Sequence, residues 1–235
     1  MSDILQACEF MDRSSMEVVV KQHKKDEVFD AEYPFYQIIE VASNNDPEIV
    51  PEDSERLLEF LDSISDHIHD GIVPQGESQS QHIWYLRENI ANALGDYGYQ
   101  LCYDVSLSSK DFYKIVDETK NLINSSAEFT ASEKESILTA GFGHIGDGNL
   151  HLSIVVPGHE DKDLQHKLNN IVEPFIMNFV KEARGSISAE HGIGFQKAGF
   201  LDYSKSTAMI EYMRRIKQVF DPHGIMNPYK VLPNQ

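Results

Sequence analysis

The chain is poor in cysteine, poor in basic residues and lacks any long apolar run, and each shortage removes a class of protein. Cys8 and Cys102 are its only cysteines. They lie far apart in apolar surroundings, so neither a disulfide framework nor a cysteine-based zinc site is available. No stretch approaches the ~20 apolar residues that span a bilayer. The first 20 residues carry Asp3, Glu9 and Asp12 with Arg13 as their one arginine, which does not read as a signal or transit peptide, and the chain is expected to be soluble. Lysine and arginine total 20 against 38 acidic residues, a net charge of -18. Such a field repels phosphate backbones and anionic lipid. The one dense basic run, Lys21 to Lys25, meets Asp26 and Glu27 at once and reads as a solvated helix end. Nucleic acid is therefore excluded as a partner. Also missing are a P-loop, a glycine-rich dinucleotide fingerprint, internal repeats and low-complexity tracts.

What remains is an ordinary globular chain of 235 residues, 41% hydrophobic and 25% charged. Tyr33 to Val41 is aromatic and β-branched and predicts a strand. Pro51, Glu52 and Asp53 open a helix with the stripe Leu57, Leu58, Phe60, Leu61 and Ile64. Gly71 to Pro74 predicts a short strand, Ser80 to Leu94 a helix, and Tyr99 to Leu107 a strand. Ser109 is placed to cap a helix bearing Phe112, Ile115, Val116 and Leu122. Ile137 to Val156 predicts two strands about a glycine turn. Asp163 to Glu182 has the strongest helical period, with Gly185 beyond it. Ser186 to Ala189 is expected as a short strand and Ser206 to Phe220 as the last helix. The expected fold is α+β, a mixed and largely antiparallel sheet with helices packed on one face.

Three stretches carry chemistry. In Gly141 to His151 (GFGHIGDGNLH), a chain folding back at Gly146 and Gly148 brings His144 and His151 together. Two converging imidazoles suit a first-row divalent metal, and two merely hydrogen-bonded histidines are the alternative. In Ser186 to Gly194 (SISAEHGIG), Glu190 and His191 are neighbours on a strand end and point to opposite sides, so one can ligate while the other faces a reacting group. Together the stretches offer a His, His, Glu set with open metal positions. The third is Trp84 to Glu88, where Arg87 sits among Ile83, Trp84, Leu86 and Ile90. Arg87 either snorkels to solvent, the simpler reading, or clamps an anion with paired hydrogen bonds.

GHIGDGNLH, SISAEHGIGFQK and the tail DPHGIMNPYK resemble the signature stretches of FAD-linked D-2-hydroxy acid dehydrogenases of the vanillyl-alcohol oxidase type, most of all the D-2-hydroxyglutarate dehydrogenases. The likeness runs from about Ile4 to Pro233 and covers only the C-terminal half of that family's enzymes; ILQACEFMD resembles an internal segment. It implies residues 1–27 as a helical segment following the FAD domain, 28–205 as a substrate and metal cap, 206–235 as a flavin-facing helix and tail, and an FAD-binding domain that is absent. It implies zinc or a similar ion on His144, His151 and Glu190, and His191 as general base for the substrate hydroxyl. It further implies a substrate carboxylate on Arg87, Asn227 near the flavin, and hydride transfer from C2 to flavin N5. FAD, a small 2-hydroxy acid and an electron-transfer flavoprotein or other acceptor are the implied cofactor and partners. The implied location is mitochondrial, with a homodimer as an open option.

The substrate-binding positions depart from the family pattern. Ala91, Cys102 and Ser153 stand where the hydroxyglutarate enzymes have threonine, lysine and asparagine. A lost lysine removes a charged hydrogen bond, commonly worth ~1.5–3 kcal/mol. Three other readings stay open: a D-lactate-type dehydrogenase half, an inactive remnant or binding protein, and a zinc hydrolase using Asp147.

Overall fold

The computed structural model describes residues 3–42 and 52–232. In chain order the elements are β1 (Leu5–Asp12), α1 (Arg13–His23), β2 (Phe35–Val41), α2 (Glu52–Ser63), α3 (Glu77–Glu88), α4 (Ile90–Tyr97) and β3 (Gly98–Ser106), followed by α5 (Lys114–Ser125), α6 (Ala131–Ser136), β4 (Leu138–His144), β5 (Asn149–Pro157), α7 (Lys162–Glu182), α8 (Leu201–Ser204) and α9 (Thr207–Phe220). The five strands form one antiparallel sheet in the order β2-β1-β4-β5-β3.

Side-chain alternation decides what lies on each face. Leu150, Leu152, Ile154 and Val156 of β5 point to one side, where α5 and α7 bring Ile115, Val116, Leu168, Val172 and Ile176. Val155 points to the other, with Phe142 and Ala140 of β4, beneath Val18 and Val19 of α1, Leu86 of α3 and Leu94 of α4. Helices therefore pack on both faces, which corrects the expectation of one. Burial on both sides explains why eight of the nine β5 residues are buried, polar Asn149, His151 and Ser153 among them. On the second face α1 lies against β1 and β4 and α4 against β5 and β3, and Cys102 at the β3 edge stays exposed.

Other expectations need correction too. The N-terminal segment is expected to be helical, yet β1 is an interior strand paired to both β2 and β4; its helix begins only at Arg13. Buried Asp12 makes that corner: its carboxylate caps α1 at Ser15 N, and also accepts from Gly141 N of β4 and the Tyr113 hydroxyl. Gly71 to Pro74 is irregular and exposed, with no strand paired to it among the described residues. The Ser80 to Leu94 helix is two helices broken at Asn89, so Arg87 and Ala91 sit on different elements. Ser109 caps nothing; α5 starts at Lys114 after a Ser108–Asp111 side-chain turn. Ser186 makes only an isolated bridge to Ser106. Pro51 and the side chains of Glu52 and Asp53, the expected start signal of α2, lie outside the described residues. Among the described residues no helix is long and apolar enough to cross a membrane.

Candidate metal and substrate site

The second face of the sheet carries the chemistry. His144 ends β4 and His151 sits in β5, and the turn between them brings the rings to 5.7 Å, edge to face. Two glycines are required here, Gly143 and Gly148. A Cβ on Gly143 would come 2.2 Å from the Asn149 carbonyl oxygen, and one on Gly148 (φ +73°) 2.3 Å from that of Leu107. Gly146, expected to share the turn's work, has open space about it. Asp147 serves the turn by accepting from Asn149 N at 3.1 Å. That use removes the carboxylate a hydrolase reading relied upon.

Glu190 arrives from the loop after α7 and faces both histidines. His144 Nε2 lies 3.5 Å from its Oε1 and His151 Nε2 3.7 Å from its Oε2. His144 and His151 thus face the same Glu190 carboxylate, one on each oxygen. The loop is hung on Asp104 of β3, fully buried and opposite His151 in register. Its Oδ2 accepts Glu190 N at 2.9 Å, His191 N at 2.8 Å and the Ser188 hydroxyl at 3.2 Å. Burial works to raise the Asp104 pKa, but the His191 and Glu190 N–H groups hold it below the usual carboxylate value. His191 stacks on His151 at 5.4 Å with its ring about half exposed, on the solvent side of the cluster. The residues whose ligand atoms lie within 4.8 Å of one another are Asp104, His151, Glu190 and His191, a set that leaves out His144.

The chemistry of this donor set fits a divalent cation. Burial keeps the His151 pKa below its ordinary value, against the pull of Asp104 and Glu190, so the ring stays neutral with a lone pair to give. Nitrogen and carboxylate oxygen donors suit zinc or a neighbouring first-row ion.

Arg87 is buried, not snorkelling. Its guanidinium lies over the Phe142 ring at 5.4 Å, and Nη2 is 2.7 Å from Oε2 of Glu9. That pair is in ionic contact without hydrogen-bond alignment, so Nε and Nη2 keep unfilled N–H positions. Glu9 also meets His144 Nδ1 at 2.9 Å. Sequence reading missed Glu9, Asp104 and buried Asn149, whose side-chain amide has no partner at either atom among the described residues.

Cys102 and Ser153 are cross-strand partners, so two of the three departures are one place. Gln100 fills it by donating to the Ser153 hydroxyl at 2.9 Å. Lys110 points to solvent beside Asp111. Ala91 is exposed on α4. Asn227 is not brought to the cluster; it lines a separate cavity of about 400 Å³ with Met213, Ile216 and Phe220, although the tail is tied to the Glu190 loop by Val231 N to Gly194 O at 2.6 Å.

Comparison with known proteins shows what the chain is similar to. The chain is 36% identical over 236 residues to a D-2-hydroxyglutarate–pyruvate transhydrogenase of Saccharomyces cerevisiae, covering 99% of this chain and 46% of that protein. It is 38% identical over 234 residues to a putative mitochondrial D-lactate dehydrogenase of Schizosaccharomyces pombe, covering 98% and 43%. A mitochondrial D-2-hydroxyglutarate dehydrogenase of Danio rerio is 36% identical over 236 residues, covering 100% and 41%. The chain thus spans a little under half the length of these relatives. In fold it is similar to the 4-ethylphenol oxidase of Gulosibacter chungangensis, with a TM-score of 0.57 at 13% identity, covering 97% of this chain and 48% of that one. Residues 1–231 match the family described as FAD linked oxidases, C-terminal domain, and the chain belongs to that family.

Proposed function

We propose that this chain is the substrate- and metal-binding half of an FAD-dependent D-2-hydroxy acid dehydrogenase of the D-2-hydroxyglutarate type. The observation that carries the reading is the convergence of His144 and His151 on one Glu190 carboxylate, with the buried Arg87 guanidinium on the same sheet face. Arg87 pairs with a carboxylate of the acid and fixes its orientation. A divalent ion held by His144, His151 and Glu190 would supply Lewis acidity toward the 2-hydroxyl. His191, half exposed beside that cluster, takes the hydroxyl proton as the C2–H bond breaks. Flavin supplies the acceptor of the two electrons and the hydrogen that leave C2 as the 2-oxo acid forms.

The flavin would be bound mainly by the other half of such an enzyme. The large exposed apolar side chains at the C-terminal end, Val219, Phe220, Ile225 and Tyr229, support a further protein surface lying against that face. The relatives' names support a mitochondrial setting. D-Lactate is the second substrate reading, favoured by Cys102 and Ser153 standing where a polar pocket for a second carboxylate is expected.

The deciding experiment is metal analysis followed by reconstitution. The chain purified without chelator carries close to one zinc or similar ion, and His144→Ala loses most of it. Purified alone, it shows no flavin absorbance after gel filtration and no turnover. Joined to the FAD half of a relative, it reduces flavin with D-2-hydroxyglutarate. Equal metal in His144→Ala and parent, or no flavin reduction by any D-2-hydroxy acid, sinks the reading.

A further inference from the structure

Glu9 lies in the middle of β1, opposite His144 in the β1–β4 register, and its side chain is almost fully buried. A carboxylate in such a place is costly unless it is paired and hydrogen-bonded. Oε1 is hydrogen-bonded to His144 Nδ1 at 2.9 Å, and Oε2 is ion-paired with Arg87 Nη2 at 2.7 Å without hydrogen-bond alignment. These partners come from β4 and α3, and one faces the Glu190 carboxylate while the other keeps two buried nitrogens, Nε and Nη2, without a hydrogen-bond partner. An ionised carboxylate can only accept, so the proton at this contact belongs to His144 Nδ1. The lone pair then sits on Nε2, the nitrogen that faces Glu190.

We propose that Glu9 is a positioning residue joining the two parts of the site: it fixes the His144 tautomer and ring for a divalent ion, and holds Arg87 over Phe142 for a substrate carboxylate. This rests on the metal reading above. Ligating histidines commonly place their second nitrogen on a carboxylate, and losing that partner lowers metal affinity about 10- to 100-fold. Here the same carboxylate also anchors the arginine. The metal end and the anion end are therefore coupled, and Arg87→Met, which touches no ligand, weakens metal binding as well.

The test uses the chain itself and needs no turnover. Zinc is titrated by calorimetry into the chelator-stripped parent, Glu9→Ala, Glu9→Gln, Arg87→Met and His144→Ala. Glu9→Ala is expected to bind about 10- to 100-fold more weakly. Glu9→Gln, whose amide oxygen still accepts from Nδ1, recovers most of that loss. Long-range ring ¹⁵N–¹H correlation of the metal-free parent shows His144 protonated on Nδ1, a reading that does not depend on any variant folding. Protonation on Nε2, or Glu9→Ala binding zinc as tightly as parent while His144→Ala does not, overturns the role of Glu9 and leaves the metal site standing. Parent and His144→Ala binding zinc alike would instead remove the metal reading itself.

Discussion

The two pieces of chain that meet at the site are built in different ways. The His144–His151 piece is part of the sheet: β4 and β5 pair along seven registered positions, and both histidines inherit their placement from that ladder. The Glu190–His191 piece is a loop with a single isolated bridge at Ser186, held mainly by one buried carboxylate, Asp104. A ladder spreads its stability over many bonds, and a loop hung on one acceptor does not. Changes at the loop's anchor should therefore cost more than comparable changes in the hairpin, and they should cost the site first.

The sharpest break is Asp104→Ala. It leaves the part-buried Glu190 and His191 N–H groups without their charged acceptor, while the Ser188 hydroxyl keeps the Gly192 carbonyl, a loss of about 3 kcal/mol. At roughly 2–4 °C per kcal/mol for a chain of this size, Tm should fall by about 6–12 °C. Zinc affinity should fall with it, since Glu190 loses its support. A variant as stable as parent in thermal unfolding would show that the loop is held elsewhere. On the hairpin side, Gly148→Ala forces a Cβ against the Leu107 carbonyl at positive φ and should cost about 1–3 kcal/mol in urea unfolding. The ladder below the turn should keep zinc affinity within a few-fold of parent. Zinc lost in step with stability would show the two pieces to be equally fragile.

Acid separates the same two pieces. Asp104 has a lowered pKa in the folded state, so its contribution is complete above its unfolded value and is lost as pH falls through the lowered one. His151 is also lowered, so the folded chain resists its protonation, and stability declines as pH falls below about 6.5. In chelator, His151→Gln should flatten the decline just below that point. Asp104→Asn should flatten only the steeper one at more acid pH. If neither variant alters the pH profile of urea unfolding, other groups govern the acid limb.

Legibility in the sequence follows the same division. The ligands His144, His151 and Glu190 were readable because glycine turns and adjacent donors mark them locally. Strands β2 to β5 and helices α7 and α9 were readable from their periods. β1 was not: LQACEFMD has no clean alternation, because Phe10 and Met11 are both buried, on opposite faces of a sheet covered on both sides. Glu9 and Asp104 were invisible for a related reason. Each looks like a strand's outward acidic residue, and its partners lie 78 to 135 residues away (Arg87 and His144 for Glu9, the Glu190 loop for Asp104). The sequence alone favours a surface Arg87 because its counter-charge, Glu9, is remote in the chain. A buried charge is legible only as a pair, and sequence separates the pair.

The smallest expected effect concerns substrate, and it turns on the open β3 edge. Cys102 and Ser153 face each other across the strands, and Gln100 already occupies the Ser153 hydroxyl. Cys102→Lys would add a cation at an exposed edge, where a charged hydrogen bond gives ~1.5 kcal/mol at the lower end of its range. Lys197 makes this gain smaller still. Its ammonium is partly buried, makes no ion pair among the described residues, and burial lowers its pKa against the opposing pull of Asp104 and Cys102. A second ammonium nearby would repel it, while Lys197 itself can meet a distal carboxylate. In a chain joined to a relative's FAD half, Cys102→Lys should therefore raise the kcat/KM ratio of D-2-hydroxyglutarate over D-lactate by no more than about tenfold, the equivalent of ~1.4 kcal/mol. Lys197→Ala should lower the same ratio, and adding Ser153→Asn should act non-additively because it must displace Gln100. A ratio unmoved by Lys197→Ala but raised a hundredfold by Cys102→Lys would mean that the edge is an empty carboxylate pocket, and that this chain's own substrate is the shorter acid.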